Sequence, residues 1–263
     1  MMRRAYVDGR WGQVHLAMAG PESRPPLLLL HQSPLSGAQF APALPLLARA
    51  GLRAIAVDTA GFGLSDPPPA PASIAEHAEA LVMVMDALGL ARAHLLGHHT
   101  GAMIAASLAA RFPQRVERLV LNGVPLFSAE ERAHFATFNF RPIKPKADGS
   151  HLMAAWQQRL AASPGWSDLA AMHRHVVAWL ANPERAHWGF QMAFAHDLEA
   201  DLRAITAPTL ILTNSGEDLF EASQRAHALR PDWAFESLEG GTHDVVDEMP
   251  EAWAATVVRW LAR

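Results

Sequence analysis

The chain has no cysteine among its 263 residues. That excludes disulfides, thiolate metal sites and a cysteine nucleophile, and it is compatible with a reducing compartment. It has no excess of basic charge: 22 Lys and Arg stand against 26 Asp and Glu, for a net charge of −4. Without a basic run, neither nucleic acid nor an anionic membrane surface is an expected partner. No apolar run approaches the roughly 20 residues a membrane-spanning helix needs. The charged start Met1-Met2-Arg3-Arg4 leads into no apolar stretch, so no secretory signal is predicted and a cytoplasmic location is expected. What the chain does have is bulk and oil. Half its residues are hydrophobic, enough for one large folded domain and too many for disorder.

Hydrophobic period then sorts the chain into elements. Residues 4–8 and 13–18 alternate as an antiparallel pair around Gly9-Arg10-Trp11-Gly12. Buried strands are predicted at 27–31, 53–58, 94–96, 116–124, 209–213 and 233–238. Helices are predicted at 40–50, after Ser73, after the strand at 94–96, at 221–228 and at 250–261. Ser73-Ile74-Ala75-Glu76 is a capping box. This alternation of strand and helix argues for an α/β fold with a mostly parallel, doubly wound sheet. Residues 125–201 break the rhythm with several helices rich in Trp, Phe and His. Inserted between two core strands, they are expected to sit over the carboxyl ends of the sheet, where open α/β sheets bind ligands. The expected division is a core of 1–124 and 202–263 with a helical cap of 125–201.

One pentapeptide bears on chemistry more than any other. Gly97-His98-His99-Thr100-Gly101 lies between a short apolar strand and a helical repeat of Ile104, Ala105, Leu108 and Phe112. It has the glycine frame of a nucleophile elbow, the sharp strand-to-helix turn that lifts one side chain above a parallel sheet. The lifted residue is His99. Histidine tolerates positive φ better than most non-glycine residues, so the frame fits, but the reactive atom is an imidazole nitrogen. Strand alternation turns His98 away from His99 and into the core.

Three more segments belong at the same sheet edge: His31-Gln32-Ser33-Pro34, Gly216-Glu217-Asp218 and Gly240-Gly241-Thr242-His243. The order elbow, acid, histidine is that of the α/β-hydrolase triad. The run from Asp58 to Asp66 resembles the D-x-x-G-x-G-x-S-D stretch of that superfamily, and Gly240 to Pro250 its G-G-x-H…E-x-P ending. The chain thus resembles a capped α/β-hydrolase, similar in layout to small esterases, C–C bond hydrolases, epoxide hydrolases and haloalkane dehalogenases. The resemblance implies an eight-stranded, mostly parallel sheet flanked by helices. It covers nearly the whole chain outside the cap. Two positions depart from the pattern: Gln32 replaces a glycine, and His99 replaces the serine, cysteine or aspartate of the elbow.

The resemblance implies His99, Asp218 and His243 as catalytic residues, with the backbone N–H groups of Ser33 and Thr100 as the oxyanion hole. Candidate substrate-binding residues are His31, Gln32, Asn122, Phe138, Trp156 and Trp188. His31 has a loop-supporting role as its plainer reading, and Asn122 that of a satisfied strand end. Neither a seryl nor an aspartyl ester can form at the elbow. A neutral imidazole has a free lone pair, so His99 can attack a carbonyl and pass the acyl group to water activated by His243 and Asp218. Alternatively His99 and His243 form an acid–base pair around a water or an enolisable substrate. Ser33 as a displaced nucleophile also stays open. No cofactor and no metal are expected, although His99, His243 and Asp218 would suit zinc or iron. The expected activity is hydrolysis of a small, partly apolar, aromatic or cyclic ester, amide, lactone or activated C–C substrate. A lyase, cyclase or cofactor-free oxygenase on the same scaffold, or a ligand-binding protein without chemistry, are the other readings. The expected partner is a small-molecule substrate, with a homodimer possible.

Overall fold

The structure is a computed structural model that describes residues 2–137 and 141–263. Eight strands form one sheet in the order β1-β2-β4-β3-β5-β6-β7-β8. β1 (Arg3–Gly9) and β2 (Gly12–Ala19) are the antiparallel pair, and β2 runs antiparallel to β4 (Arg53–Val57). β3 (Pro26–Leu30), β5 (Ala93–His98), β6 (Val116–Asn122), β7 (Thr209–Asn214) and β8 (Ala234–Leu238) continue it in parallel. The mostly parallel α/β fold is therefore present. The run Leu27 to Leu30 is fully buried, as a central parallel strand covered on both faces must be.

Alternate residues of these strands feed two separate cores. Leu28, Leu30 and Ile55 join one, which is closed by α2 (Ile74–Ala87) and α3 (Thr100–Arg111). Leu27, Leu29, Ala54 and Ala56 join the other, closed by α1 (Leu44–Arg49) and α11 (Pro250–Leu261). The predicted helix over 40–50 is split: a 3₁₀ turn at Gly37–Phe40 precedes α1, and Pro45 near the start of α1 fits a first helical turn. The capping box forms, with Ser73 Oγ accepting from Glu76 N–H at 3.2 Å and Glu76 accepting from Ser73 N–H at 2.9 Å.

Between β6 and β7 the chain forms α4 (Ala129–Ala136), α5 (Ser150–Ala162), α6 (Leu169–Ala181), α7 (Trp188–Ala195) and α8 (Leu198–Ala204). After β7 come α9 (Phe220–Leu229) and the short α10 (Val245–Glu248). Helix α7 reaches the loop after β3. A Cβ added to Gly189 would lie 2.3 Å from Ser33 Oγ, so this close approach excludes any side chain. No helix among the described residues is long and apolar enough to cross a membrane.

Candidate active site

The elbow is intact in its backbone. His99 sits between β5 and α3 at φ 51° and ψ −109°, and it has the only positive φ among the described non-glycine residues. Such a conformation costs about 1–3 kcal/mol and persists only where its surroundings fix it. Here they do. A Cβ on Gly97 would lie 2.1 Å from the Gly101 carbonyl oxygen, and one on Gly101 would lie 2.1 Å from that of Leu30. The two flanking glycines let strand, turn and helix close on one another. His99 N–H donates to the Asn122 carbonyl at 2.9 Å.

His99 and His243 meet, but they do not share a hydrogen bond. Their ring centroids are 4.3 Å apart, edge to face. His243 Nδ1 is 2.7 Å from Asp218 Oδ1. Against the cost of desolvation, that hydrogen bond holds the Asp218 carboxyl well below the usual carboxylate range. The Asp218 side chain is nonetheless 69 % exposed, so this acid is open to solvent. His99 turns the other way. Its Nε2 lies 2.8 Å from Glu217 Oε2, and Glu217 Oε1 also accepts from Thr213 Oγ1. Burial, then the neighbouring His243, hold the His99 ring well below the usual imidazole range, so it is neutral near pH 7. Burial pushes Glu217 the opposite way, up to about 7.

Two consecutive acids after β7 therefore each hold one imidazole. Glu217 was not singled out in the sequence. Its adjacency to Asp218 in the acid turn was the only signal.

Above His243 lies a cavity of about 210 Å³ lined by Gln32, Ser33, Pro34, Leu35, Gln158, Arg159, Ala162, His175, Trp179, Phe190 and His243. His99, 5 % exposed, is not among these residues. Of the expected substrate-binding residues only Gln32 is. His31 is spent on the loop: its Nδ1 donates to the Gln32 carbonyl at 2.9 Å and its Nε2 accepts from Thr59 N–H at 3.1 Å. Asn122 is fully buried, accepts from Trp253 Nε1–H at 2.6 Å and donates to the Leu212 carbonyl at 3.2 Å. It fastens α11 to the sheet rather than facing a ligand. Trp156 and Trp188 are off the cavity because of helical phase. At ~100° per residue, Trp156 stands roughly 110° round α5 from the face carrying Gln158, Arg159 and Ala162. Trp188 stands about 200° from Phe190 on α7. Trp179 and Phe190 supply the aromatic wall instead. Phe138 lies outside the described residues.

Ser33 and Thr100 come together, with Ser33 N 3.5 Å from Thr100 Oγ1. Thr100 opens α3, so its N–H is one of the first-turn amides that have no partner within the helix. The neighbouring Gln32 N–H donates to Gln39 Oε1 at 3.1 Å.

Beneath the cavity a second polar cluster ties inserted helices to the core. Asp244, fully buried, accepts from Gln32 Nε2–H at 3.1 Å and from Ser163 Oγ–H at 2.5 Å, and it pairs with Arg159. His175 Nδ1 is 3.3 Å from the same carboxylate while its Nε2 lies 2.8 Å from Asp247 Oδ2. Burial lowers the Arg159 guanidinium to about 10.

Residues 25–248 match the alpha/beta hydrolase fold family. The chain belongs to that family. It is an enzyme of that family. It is 30 % identical over 241 residues to a putative carbamate hydrolase of Variovorax paradoxus, covering 88 % of this chain and 89 % of that one. It is 28 % identical over 262 residues to a carboxylesterase of Bacillus subtilis, covering 94 % and 83 %. Among solved structures, the enol-lactonase of Burkholderia xenovorans superposes with a TM-score of 0.81 at 21 % identity, over 98 % of this chain and 100 % of that one. At that identity the likeness is one of fold.

Among the described residues the metal-ligating groups that cluster are not His99, His243 and Asp218. One ring nitrogen each of His98 and His99 and a Glu217 oxygen all lie within 4.8 Å of one another. His99 Nε2 and Glu217 Oε2 already hold each other, while His98 Nε2 is buried without a hydrogen-bond partner among the described residues. Gln39 Oε1 accepts from Gln32 N–H, so Gln39 Nε2 donates to His98 Nδ1 at 2.6 Å and the His98 proton sits on Nε2, where a metal would need a lone pair. His98 was expected to point away from His99; it is fully buried, but its ring lies 4.0 Å from that of His99. The tight elbow turn brings successive side chains together where a straight strand would separate them.

Proposed function

We propose that this protein is a cofactor-independent hydrolase of small, partly apolar acyl compounds: esters, amides, lactones or related activated substrates. The observation that carries the reading is His243, fixed by Asp218 at 2.7 Å and forming part of a cavity wall with Trp179 and Phe190. The hydrolase names of its relatives, carbamate hydrolase and carboxylesterase among them, support the same class. The inserted helices serve as a cap that excludes water and supplies the apolar wall.

The chemistry that fits is direct attack by water. His243 Nε2 removes a proton as the water oxygen bonds to the carbonyl carbon. The carbonyl electron pair moves onto oxygen, where Ser33 and Thr100 N–H groups hold it. The intermediate collapses, and His243 returns the proton to the leaving group. Asp218 stays ionised and keeps Nδ1 protonated. His99 is neutral, with Nε2 held by Glu217, so the elbow shapes and polarises the site instead of carrying the acyl group.

The test is turnover of a panel of 4-nitrophenyl esters, aryl amides and lactones. His243→Ala should lower kcat/KM by about 10²–10⁴-fold, and intact mass during turnover should show no acyl adduct. An adduct on His99 would replace water attack with a covalent route. No turnover by the wild type, or turnover indifferent to His243→Ala, would remove the hydrolase reading.

A further inference from the structure

Glu217 and Asp218 are neighbours in sequence, and each binds an imidazole of the same site. Asp218 meets solvent; the Glu217 side chain has none of its surface exposed. A buried carboxyl group against a buried neutral imidazole has two ways to make one hydrogen bond. As a carboxylate it accepts from Nε2–H, which leaves His99 Nδ1 with a lone pair. As a carboxylic acid it donates to Nε2, which leaves the ring's own proton on Nδ1.

We infer that Glu217 is a positioning residue of the elbow, and that the proton it exchanges with His99 decides whether His99 Nδ1 is an acceptor or a donor. The step balances without any other reactant than a proton from solvent. That proton adds at Nδ1, the Nε2–H proton passes to Glu217, and the ring is neutral before and after. The inference rests on the hydrolytic reading only for its effect on turnover.

The surroundings favour such an exchange. Thr213 Oγ1 holds Glu217 Oε1, which fixes Oε2 on His99. Gly123 leaves room for the pair: a Cβ there would lie 2.4 Å from His99 Nε2 and 2.8 Å from Glu217 Oε2. The titratable and charged groups around the pair are His98 on β5, His243 on the loop after β8, Asp218 on the same turn and Arg159 on α5. His98 is held neutral by burial. Burial raises Glu217 to about 7, which places the exchange in the neutral range.

The experiment is ¹⁵N NMR of the histidine ring nitrogens in the full chain between pH 5.5 and 8.5, with His99 assigned from His99→Ala. In the wild type the protonated and unprotonated ring nitrogens of His99 should change places near pH 7 while the ring stays neutral. Glu217→Gln should freeze one tautomer across the range, and Glu217→Asp should restore an exchange with a shifted midpoint. A wild-type His99 whose tautomer is constant with pH, or an exchange that survives Glu217→Gln, overturns the inference. Hydrolysis assayed in parallel separates the two proposals. Turnover should show an ionisation near pH 7 that Glu217→Gln removes. An exchange in a protein that hydrolyses nothing sinks the hydrolase and keeps the exchange. Turnover beside a pH-invariant His99 does the reverse.

Discussion

Glu217 is a buried acid whose one imidazole partner is itself neutral, and that has a thermodynamic consequence. Its folded pKa, about 7, lies above its ordinary value of 4.5. Between those values the native state binds more protons than the unfolded chain, so stability falls as pH rises through that window. Above pH 7 the full penalty applies, roughly 3 kcal/mol at most, from ~1.4 kcal/mol per pKa unit. Glu217→Gln removes the ionisation. Urea midpoints should therefore show the variant more stable than wild type at pH 8 and nearly equal to it at pH 4.5; equal stability at both would show that the carboxylate is not penalised by burial. His99 itself was legible in the sequence, because the glycine frame around it is bracketed by a short apolar strand and a helical repeat. The target of its ring was not. Sequence spacing says that a residue crowns the elbow, but which carboxylate its Nε2 reaches depends on how the turn after β7 folds against it.

At the scale of elements, α5 and α6 are fastened to the core through the buried carboxyl groups of Asp244 and Asp247. Asp244 gathers Gln32 from the loop after β3, Arg159 and Ser163 from the end of α5, and His175 from α6. Removing one partner of a buried pair leaves the other charge uncompensated, which costs about 3–5 kcal/mol. Asp244→Ala should cost that much in chemical unfolding, and limited proteolysis should cut first within the 141–168 stretch. A variant with wild-type stability and an unchanged cleavage pattern would show that the cluster does not hold the insert down. The sequence carried no sign of this cluster, since Asp244 follows His243 and reads as part of the histidine loop. Elements with a clear period fared otherwise. The buried leucines of β3, the capping box of α2 and the repeat of α3 formed where the residues indicated. The insert did not yield its cavity-facing aromatics, because helical phase relative to a cavity cannot be set before the helices are placed.

The whole molecule consists of two apolar cores, one on each face of one sheet. The inserted helices add to the first core only where they border it: Met192 and Ala193 of α7 and Leu198 and Leu202 of α8 join it, while α5 and α6 rely on polar ties and on the cavity wall. An insert without a core of its own cannot unfold as a separate stable unit. Trp179 in the insert and Trp233 and Trp253 in the core should therefore report one coincident urea transition in single-tryptophan variants. In Asp244→Ala the Trp179 transition should move to lower urea ahead of the others; separate transitions in the wild-type background would contradict this reading.

Local residue patterns determined the α/β alternation and the elbow, because each depends on residues close in sequence; the pairing of His243 with Asp218 was implied by the resemblance of segment order to the α/β-hydrolases. Tertiary structure decided what the elbow imidazole touches, which aromatic rings face the cavity and how the insert is fastened. Those are contacts between residues as far apart as 118 positions for His99 and Glu217 and 212 for Gln32 and Asp244. No local period or propensity specifies contacts at such separations; they follow from the closure of the sheet and the packing of helices across its edge.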